Sequence, residues 1–144
     1  MPNIMRSISA TYRAAMLYRE HALEGTGLGP YQTPYLMVLY RKEGISQEAL
    51  SRDLNLHKST VARQLMALEK EGFVFRTPDP ADHRQILVFP TEKARKLEER
   101  IRSILSGWSD FLLEDFTPEE RETALELMNR IASKADQGVK EQNL

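Results

Sequence analysis

The sequence predicts a mostly α-helical chain with one small β-hairpin, which places it in the α+β class. Apolar residues recur at helical spacing in both halves of the chain, but their period shortens to two between residues 73 and 89. Glycine and proline stand at the boundaries of these segments. The length of 144 residues suits one domain with an extended appendage, and a hydrophobic content of 41% is enough for a core.

The first predicted helix covers residues 4–23 and has one apolar side. That side consists of Ile4, Ile8, Tyr12, Ala15, Met16 and Ala22. A glycine-rich loop ending at Pro30 follows. Thr33 is expected to cap the next helix, residues 35–43, with Pro34 at its first position. This second helix is apolar on nearly all sides and is expected to be buried.

Two further helices are predicted in close succession. Ser46 is placed to cap the first, residues 47–53, and His57 stands at the N-cap position of the second, residues 58–71. The buried stripe of the second helix is Val61, Leu65 and Leu68. The polar residues on its other faces are therefore available for contacts.

A β-hairpin follows this helix directly. Residues 73–77 and 86–89 are rich in β-branched and aromatic side chains, and the link between them is polar and turn-forming. A short helix, a tight turn, a second helix and a hairpin, in this order, make a winged helix–turn–helix arrangement.

Two longer helices complete the chain. The first begins at Thr91, and the second begins with a capping box formed by Thr117 and Glu120. Their apolar stripes are Ala94, Leu97, Ile101, Leu105, Trp108 and Leu112 in the first, and Leu125, Met128, Ile131, Ala132 and Ala135 in the second. Residues after Asp136 are expected to fray. Because a chain of this length cannot cover all these stripes, a second copy in a homodimer is the expected cover.

Charge and missing residue types exclude several classes of protein. Lys plus Arg number 20 and Asp plus Glu number 21, so a histone-like polycation is excluded. Residues 91–144 are acidic (9 − 12 = −3), which leaves the middle or the N-terminus for any phosphate-binding surface. The absence of cysteine excludes disulfides and thiolate zinc sites. With neither a membrane span nor a secretory signal evident, we expect a cytoplasmic protein.

The helix at residues 58–71 carries the side chains best suited to reading DNA. Base edges in the major groove are read from the N-terminal part of such a helix, where arginine suits guanine and glutamine suits adenine. The candidates are Ser59, Thr60, Arg63 and Gln64 for bases, and Gln47 and Lys58 for phosphates. The alternative is an ordinary solvated helix face, but the short helix before it and the hairpin after it favour DNA.

The hairpin tip is the second candidate contact. His83 and Arg84 are expected to protrude there, and arginine is electrostatically favoured in a narrow minor groove. Arg76 on the strand is expected to add a contact to the DNA backbone, and Asp82 to hold Arg84 in position. The alternative is a solvated loop with a local salt bridge.

Five stretches of sequence carry a resemblance to a known family. They are residues 44–50 (GISQEAL), 57–63 (HKSTVAR), 68–73 (LEKEGF), 79–84 (DPADHR) and 90–94 (PTEKA). In these stretches the chain resembles the multiple-antibiotic-resistance regulator (MarR) family, and the resemblance covers nearly the whole length. Asp82 and Arg84 form its most specific motif. Pro90 and Ala94 depart from the family's usual Leu and Gly, which leaves the angle of the following helix open.

The resemblance implies a triangular homodimer in which helices one, five and six interleave, with a winged helix on each side. It also implies binding to pseudo-palindromic operators in double-stranded DNA, usually as a repressor that a small ligand releases. By the same resemblance, Ser59, Thr60 and Arg63 would read bases and Arg84 would enter the minor groove. The expected division is a dimerisation helix and loop in residues 1–30, a winged helix–turn–helix in 31–90 and dimerisation helices in 91–144.

Effectors of that family are often aromatic acids, bound where the dimer helices meet the winged helix. The candidate residues for such a cleft are Tyr12, Met16, Arg19, Tyr31 and Tyr35. Arg19 would suit a carboxylate, and the rings would enclose an aromatic or phenolic effector. Alternatively, Tyr12 and Met16 belong to the dimer core and Arg19 forms a surface ion pair.

Catalysis and metal binding have little support in the sequence. It contains no cysteine nucleophile, no Gly-x-Ser-x-Gly elbow and no phosphate-cradling loop. His21, His57 and His83 fall in different elements, so His21 with Glu20 or Glu24 is the residual metal candidate. We therefore expect no enzyme, no cofactor and no resident metal. Two rivals to DNA reading remain: a winged-helix module that binds proteins or a small aromatic, and a metal-responsive regulator.

Overall fold

The computed structural model describes residues 3–142. Its elements are α1 (Ile4–Ala22), α2 (Thr33–Arg41), β1 (Ile45–Ser46), α3 (Gln47–Leu54), α4 (Lys58–Lys70), β2 (Val74–Pro78), β3 (Ile86–Pro90), α5 (Glu92–Lys96), α6 (Glu98–Leu112) and α7 (Pro118–Glu141). Helices dominate and a small antiparallel sheet accompanies them, which confirms the predicted α+β class. The described chain forms two compact units, residues 3–105 and 106–142. The predicted functional division at residues 30 and 90 stays a prediction.

The sheet has three antiparallel strands in the order β1–β3–β2. Strands β2 and β3 are the predicted hairpin, with Phe75 opposite Phe89. The sequence did not predict β1, in which Ile45 pairs with Val88 and Ser46 with Leu87. A strand of two residues is too short to show a period, so only its neighbour in space identifies it.

Gly44 turns the chain from α2 into β1. Its φ is +79°, in the left-handed region that favours glycine. A Cβ at this position would also lie 3.0 Å from the ring of Phe89. Both observations restrict the position to glycine.

The core of residues 3–105 lies between the short helices and the sheet. Its fully buried apolar members are Leu23, Leu36, Leu39, Leu50, Val61, Leu65, Leu68, Phe73, Val74, Val88, Ala94 and Ile101. Burying a side chain of the size of leucine or phenylalanine contributes roughly 1.5–3 kcal/mol. The three α4 residues in this set confirm the predicted stripe, and their burial fixes which face of α4 remains in solvent.

The start of α2 differs from the prediction. Gln32, rather than Thr33, occupies the N-cap position, and it makes no side-chain capping bond. Thr33 is buried, and its hydroxyl donates to the carbonyl oxygen of Pro30 (3.3 Å) and accepts from Nη1 of Arg19 (3.4 Å). The hydroxyl therefore serves a contact with α1 instead of a helix cap.

The long helix predicted from Thr91 is interrupted. Helix α5 ends at Lys96 and α6 begins at Glu98, with Leu97 between them. The carbonyl oxygen of Ala94 accepts from the backbone N–H of Leu97 (3.0 Å) and from the hydroxyl of Tyr40. A bond between residues three apart tightens the last turn of a helix, which accounts for the interruption.

The hydroxyl of Tyr40 joins α2 to this interruption. Burial raises the pKa of this hydroxyl to about 12, and the nearby carboxylate of Glu98 is the next largest cause of the rise. The folded chain thus holds the phenolic proton more tightly than the unfolded chain does, so this stabilisation is present below about pH 10 and is lost as the pH rises toward about 12. We expect the free energy of unfolding to fall less steeply over this range in a Tyr40→Phe variant, which is about 1 kcal/mol less stable at neutral pH.

Urea unfolding of both chains at neutral pH and at several alkaline pH values measures this difference. The other tyrosines and lysines titrate in both chains, so they cancel in the comparison. Parallel curves for the two chains would show that Tyr40 does not contribute to the alkaline transition.

Residues 106–142 comprise the end of α6 and the whole of α7. The predicted capping box is confirmed: the N–H of Glu120 donates to Oγ1 of Thr117 (3.2 Å), and the N–H of Thr117 donates to the Glu120 carboxylate (3.0 Å). The expected fraying after Asp136 is wrong for the described residues, because α7 continues to Glu141; residues 143 and 144 of that expectation lie outside the described part of the chain. An ion pair between Lys140 and Asp136 (2.7 Å), one turn apart, supports this last stretch.

Several large apolar side chains stay exposed in the single chain. In α1, Ala15 and Met16 are buried, but Ile4 and Tyr12 of the same predicted side are more than half exposed. Helix α7 buries none of its residues. Within residues 3–142, no helix has both the length and the apolar character of a membrane span.

Candidate nucleic-acid interface

Helix α3 and the turn after it present α4 to solvent. Asn55 ends α3 in the left-handed region (φ +58°), which asparagine tolerates better than most residues. The N–H of Leu56 then donates to the carbonyl oxygen of Ser51 (3.1 Å) and closes the turn. His57 holds the predicted N-cap position of α4, although its side chain makes no capping bond.

The four predicted base-reading residues divide into two pairs. Ser59 and Arg63 lie one turn apart on α4 and are exposed. Thr60 and Gln64 are half-buried, and the Gln64 side-chain oxygen accepts from Nε2 of Gln32 (3.3 Å) in the loop before α2. Ser59 and Arg63 are therefore the more accessible pair.

The predicted phosphate contacts lie at a cleft between α3 and the wing. This cleft has a volume of about 150 Å³ and is lined by Ser46, Gln47, Glu48, Lys58, Arg84, Gln85 and Ile86. Nζ of Lys58 is 3.1 Å from a carboxylate oxygen of Glu48. The hydrogen bond from Lys58, its charge and that of Arg52 together lower the pKa of Glu48. Sequence reasoning missed Glu48, since its partner is ten residues away in another helix.

Arg76 of β2 has several partners within the winged helix. Nε and Nη2 donate to the two carboxylate oxygens of Glu69 in α4 (3.1 and 3.3 Å), and Nη1 donates to the side-chain oxygen of Gln47 (3.2 Å). The hydrogen bond from Arg76 is the first cause of a lowered pKa at Glu69. Both Arg76 and Gln47 are predicted to contact the DNA backbone. Their side chains are hydrogen-bonded to each other.

The wing tip is ordered by its own acidic residue. Asp82 accepts from the backbone N–H of Arg84 (3.2 Å), from its Nε (3.0 Å) and from its Nη2 (3.2 Å). These hydrogen bonds lower the pKa of the Asp82 carboxyl. The Arg84 side chain is nevertheless 90% exposed, and the neighbouring His83 is exposed as well. The structure therefore contains the expected contact between Asp82 and Arg84.

Among the predicted effector residues, Tyr12 of α1 lies close to Tyr31 in the loop before α2. The rings of Tyr12 and Tyr31 lie 6.5 Å apart, and Met16 is buried nearby in α1. Among the described residues, Nε of Arg19 and the hydroxyl of Tyr35 are buried without a hydrogen-bond partner. Burial lowers the pKa of Arg19 and raises that of Tyr35. Such unsatisfied donors are uncommon in folded proteins and suit a bound acceptor.

The residual metal candidate is a single exposed pair. Nδ1 of His21 lies 3.5 Å from a carboxylate oxygen of Glu24, and both side chains are largely exposed. Across residues 3–142, no group of three or more His, Cys, Asp or Glu side chains is arranged to hold a metal ion.

Known proteins resemble this chain in sequence and structure. A sequence model of the MarR family matches residues 30–86. YybA, an HTH-type transcriptional regulator of Bacillus subtilis (strain 168), is 31% identical over 131 residues, which cover 91% of this chain and 87% of YybA. A MarR transcriptional regulator from Methanosarcina mazei Go1 is 39% identical, and its crystal structure covers 95% of this chain and 96% of its own with a TM-score of 0.82.

The crystal structure of another similar protein contains DNA. A Listeria monocytogenes protein, whose crystal structure is of a complex with 26mer DNA, is 25% identical. The match covers 96% of this chain and 92% of that chain, with a TM-score of 0.87.

Proposed function

Because the chain belongs to the MarR family of transcriptional regulators, which are not enzymes, we propose that it reads double-stranded DNA in a sequence-specific way. It acts as a homodimer on a pseudo-palindromic operator, in the cytoplasm, as a repressor that a small aromatic acid releases. One observation carries the proposal: Ser59 and Arg63 are exposed on the first turns of α4, beside a wing whose Arg84 is both ordered and exposed.

The helix α4 supplies the base contacts. A major groove about 12 Å wide admits an α-helix, and a guanidinium forks onto the two acceptors of guanine. Arg63 takes this role and Ser59 contacts the neighbouring base, since both side chains are exposed. Thr60 and Gln64, which are half-buried, act at the margin of the contact.

The cleft between α3 and the wing supplies a phosphate contact. Lys58 lines it together with Gln47 at the N-terminus of α3, where backbone N–H groups favour an anion. Glu48 also lines the cleft and pairs with Lys58, so a phosphate has to compete with a carboxylate for that ammonium group. This contact positions the protein without reading sequence.

The wing supplies a contact in the flanking minor groove. Asp82 orients the Arg84 guanidinium, and an arginine is attracted by the negative potential of a narrow A·T-rich groove. His83 lies at the same tip and is exposed. The wing therefore adds a preference for flanking A·T sequence.

A second copy of the chain covers the exposed apolar side chains. In residues 106–142 these are Phe111, Leu112, Phe116, Leu125, Leu127, Met128 and Val139. In α1 they are Ile4, Met5, Tyr12, Leu17 and Tyr18. Apolar surface on this scale marks an interaction site, and the isologous contact of a two-fold dimer matches a pseudo-palindromic operator.

Selection of duplexes from a random library tests the proposal. The wild-type chain is expected to enrich a two-fold-symmetric motif whose half-sites lie about one helical turn apart. The double variant Arg63→Ala/Arg84→Ala, selected in parallel, is expected to enrich none. Equal enrichment by both chains, or none by either, would move the function to protein or ligand binding.

The effector proposal rests on the two unpartnered donors, on Arg19 and Tyr35. Benzoate is the probe, because its carboxylate accepts from Arg19 while its ring contacts Tyr12 and Tyr31. We expect benzoate to raise the unfolding temperature of the wild-type chain and to release it from the selected duplex. In an Arg19→Gln variant the benzoate Kd is expected to rise about tenfold or more, since a hydrogen bond to a charged group contributes about 1.5–3 kcal/mol.

An Arg13→Gln variant is the matched control, because Arg13 is an exposed arginine of the same helix. It is expected to respond to benzoate as the wild-type chain does. If Arg19→Gln and Arg13→Gln respond to benzoate in the same way, benzoate either binds away from Arg19 or does not bind at all.

A further inference from the structure

Arg76 is the one wing residue whose guanidinium bridges both helices of the helix–turn–helix in the described contacts. It bonds Glu69 near the end of α4 through two parallel hydrogen bonds, and Gln47 at the start of α3 through a third. Two parallel bonds fix the plane of a guanidinium as well as its distance. The third hydrogen bond, to Gln47 of α3, restrains the guanidinium from a second side.

This arrangement argues against a phosphate role for Arg76. Its side chain is only 20% exposed, whereas that of Arg84 is 90% exposed. A phosphate would have to replace the Glu69 carboxylate, which already occupies the fork of the guanidinium. Arg76 is thus placed to hold elements together.

Arg76 and the wing tip belong to the same hairpin. Arg76 lies in β2 opposite Val88, and the tip at residues 79–85 extends beyond the two strands. The link from α4 to β2 passes through Gly72, at φ +79°, whose carbonyl oxygen accepts from the hydroxyl of Thr91 (2.6 Å). A small rotation about this link would displace the tip by more than it displaces Arg76.

We propose that Arg76 is a positioning residue that, clamped by Glu69 and Gln47, sets the angle of the wing to α4 so that Arg84 and Arg63 contact one DNA duplex together. This role rests on the proposed function. If Arg76 has this role, removing the negative charge of Glu69 weakens DNA binding. Electrostatics alone would instead make the binding stronger.

A Glu69→Gln variant separates the two effects. Removing a negative charge from a surface that meets DNA by itself strengthens binding. A glutamine, however, offers one oxygen and cannot accept both bonds from the Arg76 fork. The clamp therefore predicts weaker binding in this variant, by about tenfold.

Fluorescence anisotropy on the selected duplex, with A·T and with G·C flanks, measures the effect. Glu69→Gln is expected to lose the preference for A·T flanks, as Arg84→Ala does. The double variant Glu69→Gln/Arg84→Ala is expected to bind no more weakly than Arg84→Ala alone, because the clamp acts through the wing. Glu71→Gln removes a charge two residues along the chain and is the control; its affinity is expected to equal or slightly exceed that of the wild type.

Arg76→Lys provides a second variant that keeps the charge. A lysine keeps the attraction for phosphate but cannot form the bidentate bond, so the clamp predicts a loss of affinity with an unchanged salt slope. A phosphate role predicts nearly full affinity for Arg76→Lys and a salt slope reduced by about one for Arg76→Gln. Thermal unfolding of each variant establishes that it is folded.

Each outcome decides for or against the clamp. Weaker binding by Glu69→Gln and Arg76→Lys, with the flank preference lost, supports it. Wild-type or tighter binding by Glu69→Gln, or full affinity in Arg76→Lys, overturns the clamp while the proposed function stands. A wild-type chain that prefers no duplex contradicts the proposed function and this role with it. If Glu69→Gln does not fold, Arg76→Lys alone carries the decision.

Discussion

The variant Leu125→Glu/Met128→Glu is expected to separate the proposed homodimer into monomers and to lower operator affinity by a factor of about 10²–10⁴. Leu125 and Met128 are 57% and 50% exposed in the single chain and lie three residues apart on one side of α7. A helix that buries none of its own residues needs a partner for its apolar side. A carboxylate there would be desolvated in the dimer, at a cost of several kcal/mol per ion.

The loss of DNA binding follows from the loss of the partner. Two half-sites bound by one dimer act as linked contacts, and a monomer keeps only one of them. Sedimentation velocity gives the oligomeric state of Leu125→Glu/Met128→Glu, and anisotropy gives its operator affinity. Circular dichroism at the same concentration shows whether the helices persist.

Gln137→Glu is the matched control for this variant. Gln137 is exposed and lies nine residues after Met128, about 180° around the helix. The control adds a negative charge to α7, but on the opposite side, so it is expected to remain dimeric and to bind. A dimer that survives both glutamates would place the interface elsewhere.

The second large effect is expected at Arg63. An Arg63→Ala variant is expected to lose roughly 1–3 kcal/mol of discrimination at one base position in each half-site, because alanine cannot bond the two acceptors of guanine. Arg84→Ala is expected to weaken binding mainly through the flanking A·T sequence. Anisotropy at a fixed salt concentration, on duplexes mutated at single positions, distinguishes these two patterns.

Lys70→Ala provides the comparison for charge. Lys70 is exposed at the far end of α4. The substitution therefore removes one positive charge from the same helix and leaves the first turns of that helix unchanged. It is expected to weaken all duplexes equally and slightly. If Arg63→Ala behaves like Lys70→Ala, α4 binds DNA without reading it.

The predictable parts of the fold depend on short sequence separations. The α4 stripe repeats every three or four residues, the capping box joins Thr117 to Glu120, and Asp82 contacts Arg84 two residues away. Each pattern can be recognised in a short window of sequence. The same windows placed Ser59, Thr60, Arg63 and Gln64 away from the buried stripe of α4, although only Ser59 and Arg63 of these four are exposed.

Other features were set by partners that a short window does not contain. The pairing of β1 depends on Val88 and Leu87, about forty residues later. The hydroxyl of Thr33 accepts a hydrogen bond from Arg19 of α1 instead of capping its own helix. The hydroxyl of Tyr40 donates to a carbonyl oxygen 54 positions away, close to the point where the predicted long helix is interrupted. In each case a tertiary contact outweighed a local preference.

The sequence alone therefore determined the α+β class, the order of the elements and the chemical types available at the DNA face, because periodicity, capping and turn formation act between near neighbours. The tertiary structure alone decided which of those polar residues remain accessible. Arg76 and Arg84 are the same residue type on the same hairpin, yet Glu69 and Gln47 enclose one guanidinium while the other stays in solvent. Accessibility depends on what folds against a side chain, and for Arg76 the second helix partner is 29 positions away.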